Sequence, residues 1–256
     1  IVYGDEQKRD LVEDFVSMQG NHAILGIPHK DEIIWLECTS QTLPFGFQGD
    51  FTDDRKVLII GENNSKITKT KAYINEQNYQ KTNSKVVLND DNSISCNVEI
   101  ISKGIIYNDK FFLKPEDKAS LIDYYNDFFS IINNKVFVKT EVFNNKENLE
   151  LKELISFTAK DFLKSSNGKI ILPINCVNQV SFVPKKYNER KESFEIERGY
   201  CIEDKVVVDL QGKFNFESLP KNLKIQNEFG DYDCKVELLN NEIHLTRKLL
   251  IKQGLY

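Results

Sequence analysis

The sequence predicts a mainly β protein of the α+β class, and three observations predict it. Apolar segments of about four to eight residues recur along most of the chain, many alternating with polar residues as half-buried strands do. Turn-forming clusters such as Pro28-His29-Lys30-Asp31, Asn89-Asp90-Asp91-Asn92 and Ser165-Ser166-Asn167-Gly168 separate them. One stretch alone, following Pro115, carries a clear helical period. The expected architecture is a small hairpin-based sheet over residues 1–74, a linker over 75–84, and an antiparallel β-sandwich with one packed helix over 85–256. The chain starts at Ile1 and stops at Tyr256 directly after an amphipathic strand, so both ends are expected to be cuts through something longer.

Residues 1–19 mix charges with Leu11, Val12, Phe15, Val16 and Met18 and read as an irregular lead-in with at most one helical turn. Residues 20–40 read as a β-hairpin whose strands, 22–27 and 33–38, flank the Pro28–Asp31 reversal. A reversal centred between His29 and Lys30 sets His22 opposite Glu37. One face then carries His22, Ile24, Gly26, Ile33, Trp35 and Glu37. The other carries Ala23, Leu25, Ile27, Ile34, Leu36 and Cys38; being wholly apolar, it is expected to be buried. Residues 40–55 form a loop punctuated by Pro44, Gly46 and Gly49, and 56–60 pairs with 67–73 across Gly61–Ser65. Residues 75–85 are polar with no apolar period, the best domain boundary in the chain.

Beyond it, 86–88, 94–101, 136–143, 169–174, 193–196, 205–210, 223–229, 233–239 and 243–251 read as strands. Residues 149–162 fit a strand or a helix equally. The helix starts near Pro115, with Glu116 and Asp117 favouring its N-terminus, and Leu121, Tyr125, Phe128 and Ile132 form its apolar stripe.

Composition excludes several function classes. An apolar content of 40% with 29% charged residues fits a folded globular chain. No run approaches the ~18 apolar residues of a membrane span. The formal net charge of −5, without a basic stripe, argues against nucleic acid as a partner. The densest basic cluster, residues 185–191, reads as a solvated loop. Cys38, Cys96, Cys176, Cys201 and Cys234 are widely spaced and odd in number, so no zinc site is expected and at least one thiol stays unpaired within the chain. Apolar neighbours favour burial of Cys38 and Cys96. Asp50, Asp53 and Asp54 lack the ligand ladder of a calcium loop and read as a plain turn. No cofactor and no metal are expected.

Chemistry concentrates at His22 and Glu37. A carboxylate that orients an imidazole supplies two parts of a nucleophilic triad, lacking only the thiol or hydroxyl. Cys38, on the opposite face of its strand, does not supply it. His29, at the turn, and His244, in a terminal strand, have no carboxylate opposed by register and read as non-catalytic.

The motif Asn21-His22-Ala23, an aliphatic strand, a turn, then Trp35-Leu36-Glu37-Cys38-Thr39-Ser40 resembles the histidine and aspartate strands of the transglutaminase-like superfamily of papain-type cysteine enzymes. The resemblance makes His22 the catalytic histidine, Glu37 the counterpart of the aspartate and Thr39 that of the following threonine. Glu37 is one methylene longer than the aspartate, and Cys38 stands where proline is usual. Pro44-Phe45-Gly46 and 55–60 are similar to a subgroup of bacterial envelope proteins with such a core between β-rich domains. Residues 190–256 are similar to that subgroup's C-terminal β domain of unknown function. The resemblance implies a cysteine hydrolase or acyltransferase acting on amides, a nucleophilic cysteine in an upstream part of the same protein, an envelope or periplasmic location, and no activity for this chain alone. It also implies that Phe45 and Phe47 shape the cleft, with Asn21 or Gln19 helping to position the site. The alternative is a non-catalytic binding or scaffold module with an envelope protein or glycan as partner. The odd cysteine count runs against an oxidising compartment.

Overall fold

The computed structural model describes residues 1–61, 65–163, 165–179, 189–214 and 217–256. In chain order the strands and helices are β1 Leu25–His29, β2 Glu32–Leu36, β3 Lys56–Ile59, β4 Lys66–Lys69, β5 Tyr79–Leu88, β6 Ile94–Lys103, α1 Ile105–Asn108, α2 Lys118–Phe128, β7 Lys135–Asn145 and β8 Glu150–Ala159, followed by β9 Ser165–Ser166, β10 Lys169–Ile170, β11 Glu195–Ile196, β12 Tyr200–Asp209, β13 Leu223–Gln226, β14 Gly230–Leu239, β15 Glu242–Ile251 and β16 Gly254–Leu255. The mainly β expectation holds. Eight strands make one large sheet in the order β13-β14-β15-β12-β5-β6-β8-β7, and the other strands form two-stranded ribbons. All neighbours in the large sheet are antiparallel except β5 and β12, which run parallel, with Val206 beside Ser84. A parallel pair needs a long crossover, and the chain from β6 to β11 supplies it.

Residues 75–84, expected to be a linker, instead supply most of β5, a central strand. Gln80, Thr82 and Ser84 point inward and are buried, in line with Val86 and Leu88. The alternation is complete, but its first three inward positions are polar, so counting apolar residues misses it. β8 settles the ambiguity at 149–162 as strand. Its inward row is Leu151, Glu153, Ile155, Phe157 and Ala159, so an acid stands in the row that faces the core. Glu153 is accommodated by the Lys110 ammonium at 2.8 Å and the Tyr125 hydroxyl at 3.1 Å.

The inner face of the sheet is covered by α2 and the chain around it. Asp117 caps α2 by accepting from the Ser120 amide at 3.1 Å. Leu121 and Tyr125, with Phe129 and Ile132 just past the helix, pack against Phe157, Val98 and Ile155 in one core. The single turn α1, not foreseen, begins at Gly104, whose φ of 62° favours glycine. The outer face carries Asn83, Lys85, Asn97, Glu99, Lys139 and Lys205 around a shallow concavity of about 610 Å³. Among the described residues, no helix is long and apolar enough to cross a membrane.

The hairpin forms, with a different register. Lys30 and Asp31 make the loop, Lys30 at φ 53°, and His29 pairs with Glu32, Ile27 with Ile34, and Leu25 with Leu36. In a two-residue hairpin the pair beside the loop is hydrogen-bonded and the next is not. Pro28, opposite Ile33, therefore sits where no ladder N–H is needed, rather than inside the reversal. The shift is by two residues, so every side chain keeps its expected face.

The better-buried face of the hairpin is the one with Trp35, not the wholly apolar face expected to be buried. Trp35 is buried with Val2 and Val57, against Ile24, Ile33 and Ile59. The apolar face is the more open one: Leu25 is 50% exposed, Ile27 36%, and Cys38 is exposed rather than packed, while Ile34 and Leu36 are half-buried. Buried Cys96 agrees with expectation. The lead-in, without a helix, explains the difference. Val2 bridges to His22, with amide-to-carbonyl bonds of 3.0 Å in both directions, while Ile1 and Leu58 exchange bonds of 2.8 Å. The N-terminal residues thus lie across the Trp35 face. Leu11 is buried, whereas Val12, Phe15, Val16 and Met18 are exposed.

The first 74 residues are fastened to the large sheet. Phe47 and Tyr73 enter its core, Phe47 meeting the Tyr107 ring at 5.5 Å. Arg198, just before β12, donates from Nη2 to the Asp53 carboxylate at 2.7 Å and to the Asp50 carbonyl at 2.7 Å. Fully buried Asn78 donates to the carbonyls of Tyr73 and Gly199 and accepts from the Ile105 amide. Most of the turn expected at Gly61–Ser65, and residues 185–188 of the basic cluster, lie outside the described residues.

Candidate functional site

His22 lies just before β1 and Glu37 just after β2. If the hairpin register continued, His22 would stand opposite Thr39 and Glu37 one diagonal step away. Diagonal neighbours on one face are ~7–8 Å apart, within reach of a long side chain. Glu37 makes that reach: its two carboxylate oxygens lie 2.9 and 2.8 Å from His22 Nε2. The expected pairing is therefore present by a diagonal route, and the methylene by which Glu exceeds Asp suits the longer span.

The Glu37 side chain is 3% exposed and the His22 side chain 15%. Thr39 donates to Glu37 Oε1 from its hydroxyl at 2.6 Å and its amide at 3.1 Å. Burial pushes the Glu37 carboxyl up, but the Thr39 hydroxyl and amide and then His22 outweigh it and hold the group below its ordinary value of 4.5. The carboxylate is thus kept ionised toward the imidazole. Nε2 faces Glu37, and among the described residues no hydrogen bond engages Nδ1.

A third side chain reaches the imidazole. The Phe51 ring, from the loop after β2, lies 5.1 Å from the His22 ring at an interplanar angle of 79°. Sequence reasoning pointed to Phe45 and Phe47 instead. Phe47 is in the main core and Phe45 is 72% exposed, with no aromatic contact to His22. Nothing in the spacing of three phenylalanines within seven positions separates them; the contact is set by how the loop is tied down. Gln48 and Thr70 bind the Thr52 carbonyl, and buried Arg55 donates to the carbonyls of Tyr3, Asp5 and Asp50.

Asn21 and Gln19 act on the backbone. Asn21 accepts from the Gly4 amide at 2.7 Å and donates to its carbonyl at 3.2 Å, and Gln19 binds the carbonyls of Val12 and Phe15. His29 is exposed. Contrary to expectation, both His29 and His244 have a carboxylate residue opposite them by register, Glu32 and Glu237 respectively, and His244 Nε2 also meets the Glu242 carboxylate, two residues back on its own strand, at 3.2 Å. Asp53 and Asp54 are engaged by Arg198 and by Lys8 and Lys69. Among the described residues no group of three or more His, Cys, Asp or Glu is placed to hold a metal ion.

An imidazole held by an ionised acid, with its second nitrogen free, can accept a proton from a thiol or hydroxyl and return it. Among the described residues no thiol or hydroxyl hydrogen-bonds to His22. No curated protein and no solved structure matches the chain. Residues 168–256 match the model of a family described as a domain of unknown function with solved structure, DUF3858, so the C-terminal β-rich part is similar to that domain while the hairpin with His22 and Glu37 lies outside the match.

Proposed function

We propose that the chain carries the histidine and acid half of a transglutaminase-like cysteine hydrolase or acyltransferase acting on amide substrates. The observation that carries the reading is the contact of His22 Nε2 with the Glu37 carboxylate at 2.8 Å, backed by two donors from Thr39. In this reading a thiol in an upstream part of the same protein attacks the amide carbonyl, His22 takes the thiol proton at Nδ1 and returns it to the leaving amine, and Glu37 stabilises the imidazolium. An envelope location accompanies the proposal, from the resemblance of Pro44-Phe45-Gly46, residues 55–60 and residues 190–256 to a subgroup of envelope proteins.

The test compares the chain with a longer gene product that includes the cysteine. The chain alone is expected to release neither ammonia from glutaminyl side-chain amides nor an amine from peptide bonds. The longer product is expected to do so, losing activity about 10²–10⁴-fold in His22→Ala, the range of a positioned general base. Turnover by the chain alone that His22→Ala abolishes overturns the external nucleophile; turnover by the longer product indifferent to His22→Ala overturns the dyad. A second reading, a β-rich binding or scaffold module of the envelope, is favoured by one observation: among the described residues no cysteine hydrogen-bonds to His22, four of the five are buried or half-buried, and the thiol of exposed Cys38 donates to the Leu36 carbonyl.

A further inference from the structure

Glu37 constrains one nitrogen of His22, but a carboxylate accepts over a wide range of directions and the second torsion of a histidine is broad. Something else must set the plane of the ring, and therefore the direction in which Nδ1 points. Resting on the proposal above, we infer that Phe51 is the positioning residue for the imidazole and that Gly4 is glycine to make room for it.

The Phe51 ring fills the space a side chain at position 4 would take. A Cβ on Gly4 would lie 2.5 Å from Phe51 Cε1, 2.7 Å from Cζ and 3.0 Å from the Cβ of His22. Gly4 is not among the glycines with positive φ, so its backbone conformation does not call for glycine. The requirement is steric and comes from the two rings. Both sides of the contact are tied together by backbone. Asn21 brackets Gly4 with two hydrogen bonds and is the residue before His22, and the Asp5 amide donates to the Phe51 carbonyl at 3.1 Å. Val2 bridges to His22 itself. The lead-in, the loop and the histidine thus converge on one edge-to-face ring contact, a geometry preferred by aromatic quadrupoles and directional where a hydrophobic contact is not. With the plane fixed by Phe51 and Nε2 fixed by Glu37, Nδ1 has one direction left.

The chain as it stands permits the test. An imidazole N–H held on a buried carboxylate exchanges slowly with water and gives a resolved downfield proton signal, and the His22 Nε2–H signal is expected in the native protein. Glu37→Gln is expected to abolish it. Phe51→Ala and Gly4→Ala, which remove or displace the same ring from different sides, are both expected to lose it to exchange while the amide signals of the large sheet stay in place. Phe51→Tyr, which keeps the ring, is expected to retain it. Survival of the signal in Phe51→Ala or in folded Gly4→Ala overturns the role of Phe51 and leaves the dyad standing. A signal absent from the native protein, or indifferent to Glu37→Gln, overturns the dyad and this inference with it. Phe51, 38% exposed on the surface, can be truncated without opening the main core, so Phe51→Ala and Phe51→Tyr decide the matter even where Gly4→Ala fails to fold.

Discussion

Thr39 is where the electrostatics of the site can be read most directly. Its hydroxyl and amide both donate to a carboxylate that burial alone would have pushed toward neutrality. Because the folded-state value of Glu37 is lowered, the stabilisation is fully present above the ordinary value of 4.5 and is lost as the pH falls through the folded one. Thr39→Val is therefore expected to cost about 1 kcal/mol at pH 7, less at pH 3, in urea denaturation. An equal cost at both values would mean that the hydroxyl does not serve the ionised acid. The pair itself was legible in the sequence because parity along a strand survives an error of two in register. Phe51, Gly4 and Val2 were not, because no periodic pattern links the lead-in and the loop after β2 to the imidazole.

Elements were legible wherever inward positions are apolar. The capped helix α2 and strands β6, β14 and β15 follow from alternation or a stripe plus a turn signal. β5 and β8 hid behind inward Gln80, Thr82, Ser84 and Glu153; the fold gives Gln80, Thr82 and Glu153 hydrogen-bond partners, while the buried Ser84 hydroxyl has none among the described residues. In the hairpin, Gly26 faces Trp35 across a non-hydrogen-bonded pair, where strands approach most closely. A Cβ there would lie 2.9 Å from Trp35 Cζ3 and 3.0 Å from Ile33 Cγ2. Gly26→Ala is expected to destabilise the hairpin by about 1–3 kcal/mol through overpacking. Since Trp35 is the single tryptophan, its fluorescence reports the change, and an unchanged emission maximum and urea midpoint would refute the packing argument.

At the scale of the whole molecule the first 74 residues and the large sheet are joined by buried charge. The Asp53 side chain is 2% exposed and the Arg198 side chain 16%, and Arg55, fully buried, stands close enough to feel the same carboxylate. Breaking such a pair from one side strands a charge away from water. Arg198→Met is expected to cost about 3–5 kcal/mol in urea denaturation, with faster amide exchange at Val2 and His22, and Asp53→Asn in the same background is expected to restore part of it. A loss below about 1 kcal/mol, the range of a surface pair, would mean the junction is solvated. The junction also explains why a boundary at residues 75–84 reads so plausibly in sequence: the segment is polar because it runs through a polar seam, between Asn78 and Thr82, inside one continuous structure.

By itself the sequence determined the mainly β class, the capped helix, and the face on which an imidazole and an acid meet, because each of these depends on local period, local turn chemistry or parity. Tertiary structure alone decided which face of the hairpin is covered, that a polar stretch becomes a central strand, and which of three phenylalanines touches the histidine. Those outcomes depend on contacts between residues far apart in the chain, such as Val2 with His22, Asn78 with Gly199 and Asp53 with Arg198, and no local pattern encodes them.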